Sequence, residues 1–314
     1  MHTLGCLVFM AVIYTIQGGS SPQVGKFPYH ALIRHNATNH LCSGSIINKF
    51  NVLTSALCVC GWDDSRPLKI HVGTNSLNVS GDVYDVENVV VHENYSHSHT
   101  GIALGNLKTV YNDIDLGSFK PLFNDIALVH LKTPIKYNTL VQPINLMTSD
   151  KDIAFISCTL SGFGRATYGN ITSNNLKEIE LDVGLQEMCR KIYPIVTNAH
   201  MCTLREPERK FCKHYIGGPI VADKTQIGIA STSFCEKDNI YDVVTRVSSF
   251  IPWISTNLKN PLDEPPKKLR KYYNVTNVTE HGNPDITHDN DDDDVSGDDS
   301  SDDDDRDYDG SGDW

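Results

Sequence analysis

An all-β barrel or sandwich is the fold class this sequence predicts, on three observations. Short runs at residues 68–74, 83–92, 126–131 and 178–183 partly alternate apolar and polar side chains, the period of a strand with one buried face. Gly, Asn, Asp and Pro punctuate those runs and supply turns between them. Helical periodicity is scarce, and two antiparallel barrels followed by a terminal helix satisfy the whole pattern.

The elements follow in chain order. Residues 7–14 are an apolar run of signal-peptide length, far short of the roughly 20 residues a membrane helix needs. Its n-region offers His2 and neither Lys nor Arg, and cleavage after Thr15, Gly18 or Gly19 is open. No later segment is long or apolar enough to span a bilayer. Two segments read as helices. One is 186–193; the other is 248–258, where Phe250, Ile254 and Leu258 recur at one-turn spacing behind serines placed to cap it.

Charge divides the chain. From His281 to Trp314 there are fifteen Asp, no Glu and one Arg, a net −14 against −12 for the whole chain, so everything upstream sums to +2. A linker with Pro261, Pro265 and Pro266 leads through Lys267, Lys268, Arg270 and Lys271 into that run. Such a tail cannot bury a core and is expected to be disordered. Its acidic context also suits modification at Tyr308, Ser296, Ser300 and Ser301.

Three landmarks carry a family resemblance. Cys212-Lys213-His214-Tyr215-Ile216-Gly217-Gly218-Pro219 resembles the Cys-x-Gly-Asp-Ser-Gly-Gly-Pro around the nucleophile of trypsin-like serine proteases. Leu53-Thr54-Ser55-Ala56-Leu57-Cys58 is similar to their Leu-Thr-Ala-Ala-His-Cys, and Asn124-Asp125-Ile126-Ala127-Leu128 to the segment bearing their catalytic aspartate. Ile16-Gln17-Gly18-Gly19, Cys42-Ser43-Gly44-Ser45, Ser161-Gly162-Phe163-Gly164 and Phe250-Ile251-Pro252-Trp253-Ile254 fall in the family's order. The resemblance implies two antiparallel six-stranded β-barrels with a C-terminal helix over residues 16–258. Residues 1–15 (the end lying between 15 and 19) are then a signal peptide, and 259–314 a linker and Asp-rich tail.

The resemblance further implies the disulfides Cys42–Cys58, Cys189–Cys202 and Cys212–Cys235, as suits an oxidising compartment. Ala222 stands where the partner of Cys158 belongs, and Cys60 is an extra. Those two can pair only if their Cα atoms come within about 7 Å; otherwise they are one buried inert thiol and one surface thiol. Secretion makes the sequons at Asn36, Asn78, Asn94, Asn170, Asn274 and Asn277 candidates for glycosylation.

At the three catalytic positions the chain carries Leu57, Asp125 and Ile216. Triad chemistry needs a nucleophilic oxygen, a base to take its proton and an orienting carboxylate, and the members act as a unit. Leu57 has no titratable group and Ile216 no nucleophile. His214 replaces a glycine that lines the family's oxyanion hole. Tyr215 replaces the aspartate that pairs with the new amino terminus, and no Lys or Arg precedes Ile16 as an activation site. Lys210 stands where trypsins keep an aspartate at the base of the specificity pocket. No catalysis is therefore expected, and Asp125 reads as a structural carboxylate hydrogen-bonded in part to Ser231.

Neither a cofactor nor a metal is expected. His97 and His99 flank Ser98 in a polar loop without further ligands, and Thr74 follows Gly73 where the family's calcium loop turns acidic. The stretch between Tyr95 and Asn124 is longer than in the family. It carries Ile102, Leu104, Leu107, Val110, Tyr111 and Phe119, and reads either as a packed cover or as a tolerated insertion.

The function so implied is a secreted non-catalytic protease homologue that binds proteins: a protease, its zymogen or an inhibitor. It would act as a cofactor, decoy or modulator of an extracellular cascade. An alternative is an interaction or matrix protein whose acidic tail docks on a basic surface. Neither reading involves nucleic acid or a membrane span. A third, residual hydrolysis at Ser55 or Ser231, lacks any base that the sequence sets beside either hydroxyl.

Overall fold

The computed structural model describes residues 21–35, 41–62, 67–95, 122–149, 153–163, 174–204, 215–231 and 241–260. Six antiparallel strands close the first barrel: β1 (His30–His35), β2 (Leu41–Ile46), β3 (Asn51–Thr54), β4 (Leu68–Val72), β5 (Asp82–Val91) and β6 (Ala127–Leu131). Their order is β1-β2-β3-β6-β5-β4, and β4 returns to pair with β1. The second barrel uses β8 (Ser157–Gly162), β9 (Lys177–Val183), β10 (His200–Leu204), β11 (Pro219–Ala222), β12 (Thr225–Ile229) and β13 (Tyr241–Arg246). These run β11-β8-β9-β10-β13-β12, and pairing of β11 with β12 closes the ring. A two-residue strand, β7 (Asn145–Leu146), adds to β12 in parallel.

Four of these strands match the alternating runs in the sequence. In β5, Tyr84 and Val86 point inward while their neighbours are exposed. A bulge between Val86 and Asn88 then shifts the register against β6, which is why the alternation is only partial. Strand β1 is buried on both faces, with Ala31 and Ile33 in the first barrel's core and Leu32 packed with Phe163 and Leu176. It therefore shows no period of two.

The two barrels have separate cores, and a third cluster joins them. Leu53, Ile126 and Leu128 of the first barrel pack with Ile229 of the second and with Val247, Phe250 and Ile254 from the C-terminal segment. That segment is a 3-10 turn, Val247–Phe250, leading into α3 (Ile251–Thr256). The expected serine caps are not there. Neither start has a side-chain cap, the Ser249 hydroxyl donates instead to the Asn198 carbonyl, and Pro252 sits in the first turn, where its missing N–H costs nothing. Leu258 falls beyond the helix, partly buried against the joining cluster. The other helices are α1 (Ala56–Val59), between β3 and β4, and α2 (Gln186–Ile192), which the Cys189–Cys202 disulfide ties to β10.

Candidate functional site

Asp125 is the polar centre of the joint between the barrels. Fully buried just before β6, its carboxylate accepts from the Leu57 backbone N–H at 2.8 Å and the Ser231 hydroxyl at 2.5 Å. The Ser55 hydroxyl lies 2.7 Å from one carboxylate oxygen and 2.6 Å from the other. Ser55 is also the N-cap of α1, and its oxygen shares the Leu57 N–H at 3.2 Å. The Asp125 carbonyl accepts from Thr245 Oγ1 of β13 at 3.0 Å. One residue thus ties α1, β6, the end of β12 and β13 together, and the bonds to its carboxylate compensate the removal of that charge from water.

The aliphatic positions sit in the first barrel's core. Leu57, on α1, and Ile216 belong to one apolar cluster, with only 1% and 4% of their surfaces exposed. The preceding residue, Tyr215, is wholly buried in the second barrel's core instead. Consecutive side chains therefore anchor this segment in both barrels. Gly217 follows at φ +80°, and a Cβ there would stand 2.1 Å from the Ser43 carbonyl oxygen and 2.3 Å from Thr54 Oγ1. Only glycine fits so close an approach to β2 and β3. Its N–H donates to the Ala230 carbonyl at 2.7 Å, and the Ser43 N–H donates to the Ile216 carbonyl at 3.0 Å.

Two closed six-stranded barrels, with these three positions at their joint, agree with a comparison against family models. The trypsin family model matches residues 16–254. The chain belongs to the trypsin family. Among curated relatives it is similar to chymotrypsin-2 of Vespa crabro, at 32% identity over 242 residues, covering 77% of this chain and 99% of the relative. It is 28% identical to the clotting factor G beta subunit of Tachypleus tridentatus, covering 78% and 80% of the two chains. Against a trypsin of Phaedon cochleariae the identity is 26%, over 76% and 87%.

Against the residues read from the sequence, this trypsin-family site differs in two respects. The Asp125 carboxylate stands beside Ser55 as well as the expected Ser231. Both hydroxyls are buried and already spent as donors to it. Cys60 is not a surface thiol: it and Cys158 are both free and buried. Burial, then the charge of Asp125, pushes the Cys60 thiol up to about 11. Burial, then Asp182, pushes Cys158 up to about 12. Both are neutral and poor nucleophiles at physiological pH.

One polar pair escapes the motifs. His30 Nδ1 of β1 lies 3.1 Å from Ser161 Oγ of β8, and both side chains are buried. Burial lowers His30 to about 3, so the ring is neutral at pH 7. A histidine beside a serine invites a catalytic reading, yet Ser161 has 1% of its surface exposed and His30 4%. The pair is a strut between the barrels.

The Cys42–Cys58 and Cys189–Cys202 disulfides are formed. Cys212, Cys235, Lys210, His214, His97, His99 and the stretch 96–121 lie outside the described residues. So do the sequons at Asn36, Asn170, Asn274 and Asn277 and the acidic tail, while Asn78 and Asn94 are exposed. Among the described residues no three His, Cys, Asp or Glu side chains converge as a metal site would require, and no helix is long and apolar enough to cross a membrane.

Proposed function

We propose that this chain is a trypsin-family protein that binds other proteins and does not cleave them. The observation that carries the reading is that Leu57 and Ile216, at the base and nucleophile positions the resemblance implies, are both buried in one apolar cluster. Neither side chain can take or give a proton, and neither carries an electron pair for attack on a carbonyl. Asp125 cannot substitute as base for Ser55 or Ser231, since a carboxylate is a far weaker base than an imidazole and this one already accepts from both hydroxyls. The reading extends to a secreted, glycosylated protein with its barrels over residues 16–258 and a linker and acidic tail over 259–314. Two formed disulfides and exposed sequons at Asn78 and Asn94 support it.

Its partner class is a protease, a zymogen or an inhibitor, engaged as cofactor, decoy or modulator; similarity to a clotting factor subunit supports an extracellular cascade. The decisive assay is labelling of the purified protein with a fluorophosphonate that reacts with activated serines. No labelling is expected beside a strongly labelled active trypsin, and stoichiometric labelling of Ser55, Ser161 or Ser231 would overturn the reading.

The concentration of charge in residues 281–314, at −14, favours a second reading in which the tail is the binding part. Partner capture with the full chain and with a chain ending at Asn260 separates the two. Retention by the shorter bait favours the barrels. Loss of the partner from it, with release from the full chain by moderate salt, favours the tail.

A further inference from the structure

We propose that the outer face of α2 pairs with the same face of a second copy of this chain, in an antiparallel two-fold contact. Leu185, Met188 and Ile192 recur at spacings of three and four along this helix and its N-cap, so they form one stripe. Ile195 lies three residues past the helix end. All four are exposed, although each is a large apolar side chain.

The adjoining turn extends the stripe. The Phe155 N–H donates to the Val183 carbonyl at 2.7 Å and the Val183 N–H to the Ile156 carbonyl at 3.0 Å, fixing this turn two residues before Leu185. Phe155 holds φ at +63°, a conformation bulky side chains rarely adopt, and leaves 65% of its surface open; Ile156 is exposed as well. The exposed fractions of these six side chains amount to on the order of 400–500 Å2 of apolar surface.

The charges beside the stripe select the occupant. Glu187 and Lys191 lie along one edge of it, four residues apart, near the beginning and the end of the helix. Both are exposed, and neither makes an ion pair among the described residues. A two-fold axis through the helix midpoint maps position 187 onto 191. In that arrangement Glu187 faces the second copy's lysine, Lys191 faces its glutamate, and the helix dipoles oppose. A parallel two-fold would put the two charged edges on opposite sides of the contact and leave these charges without each other as partners. The surface is therefore complementary to itself, as an isologous contact requires.

Two such patches would bury about 1,000 Å2 in total, near the lower limit for a specific interface. That size predicts a weak, concentration-dependent dimer. The contact holds whether or not the chain binds a protease.

The test is sedimentation velocity on the full secreted chain, from micromolar to near-millimolar concentration. Reversible dimerisation is expected, and Met188→Glu should weaken it by at least about tenfold, because it sets a charge beside the two-fold axis. Glu187→Lys should also weaken it, and Glu187→Lys combined with Lys191→Glu should restore it. The charge pair keeps the test open if Met188→Glu does not fold. A monomer at every concentration overturns the proposal. So does a dimer indifferent to Met188→Glu and to the charge exchange, or a face that binds a different protein and never a second copy.

Discussion

The Leu57 backbone N–H donates to Asp125 Oδ1 at 2.8 Å, although the Leu57 side chain offers that carboxylate nothing. The main chain at Leu57 thus holds the carboxylate, and Asp125 has structural work. Ser55 and Leu57 at the start of α1 and Ser231 just after β12 all donate to it from buried sites. The carboxylate joins the barrels.

Asp125→Ala should therefore be strongly destabilising. It removes the acceptor from two buried hydroxyls and a buried amide, each costing about 1–3 kcal/mol when unsatisfied. The expected loss is on the order of 3–5 kcal/mol, read from the shift in denaturant midpoint at unchanged slope. A loss below about 1 kcal/mol would mean that the carboxylate is not the joint described.

Gly217→Ala should prevent folding. The added Cβ meets backbone and side-chain oxygens at 2.1 and 2.3 Å, in a backbone conformation L-residues avoid. Relief would require β2 and β3 to separate from the Tyr215–Gly218 segment, at a cost above about 4 kcal/mol. Gly184→Ala is the control, because its nearest neighbour would be a Tyr241 ring carbon at 3.4 Å. Yields and melting temperatures of the two variants should differ sharply.

The barrels were legible wherever one strand face is wet. β5 and β9 carry that alternation, whereas β1 does not, because Leu32 leaves the barrel core to pack with Phe163. A four-residue helix such as α1 and a two-residue strand such as β7 are too short to impose a period. At the site, Leu57, Asp125 and Ile216 were found through motifs that keep local spacing. The Ser55–Asp125 contact spans 70 residues and the His30–Ser161 contact 131. Only the closed barrels bring such partners together, and nothing local in either residue records it.

Cys60 and Cys158 should resist alkylation in the native protein and react fully once it is unfolded. Burial both blocks the reagent and keeps the thiols protonated. Mass mapping after labelling under native and denaturing conditions, without reductant, reads each site separately. Native labelling of Cys60 would contradict its place beneath α1, where its sulfur lies 3.7 Å from the Leu57 carbonyl.

His30 should make the fold sensitive to acid. Its folded pKa, about 3, lies below the ordinary histidine value of 6.5, so between these values the unfolded chain binds a proton that the native chain refuses. Stability from this group is complete above about pH 6.5 and falls by up to about 1.4 kcal/mol per unit as the pH drops towards 3. His71, His92, His130 and His200 are also lowered, each chiefly by burial, and they add to the same slope. His30→Gln removes one titration while keeping a polar side chain for Ser161. The variant should lose stability at pH 7 yet show a shallower decline between pH 6.5 and 4, measured by urea denaturation at each pH. An unchanged slope would mean that the ring takes up its proton in the folded state, so that the contact between β1 and β8 accommodates an imidazolium.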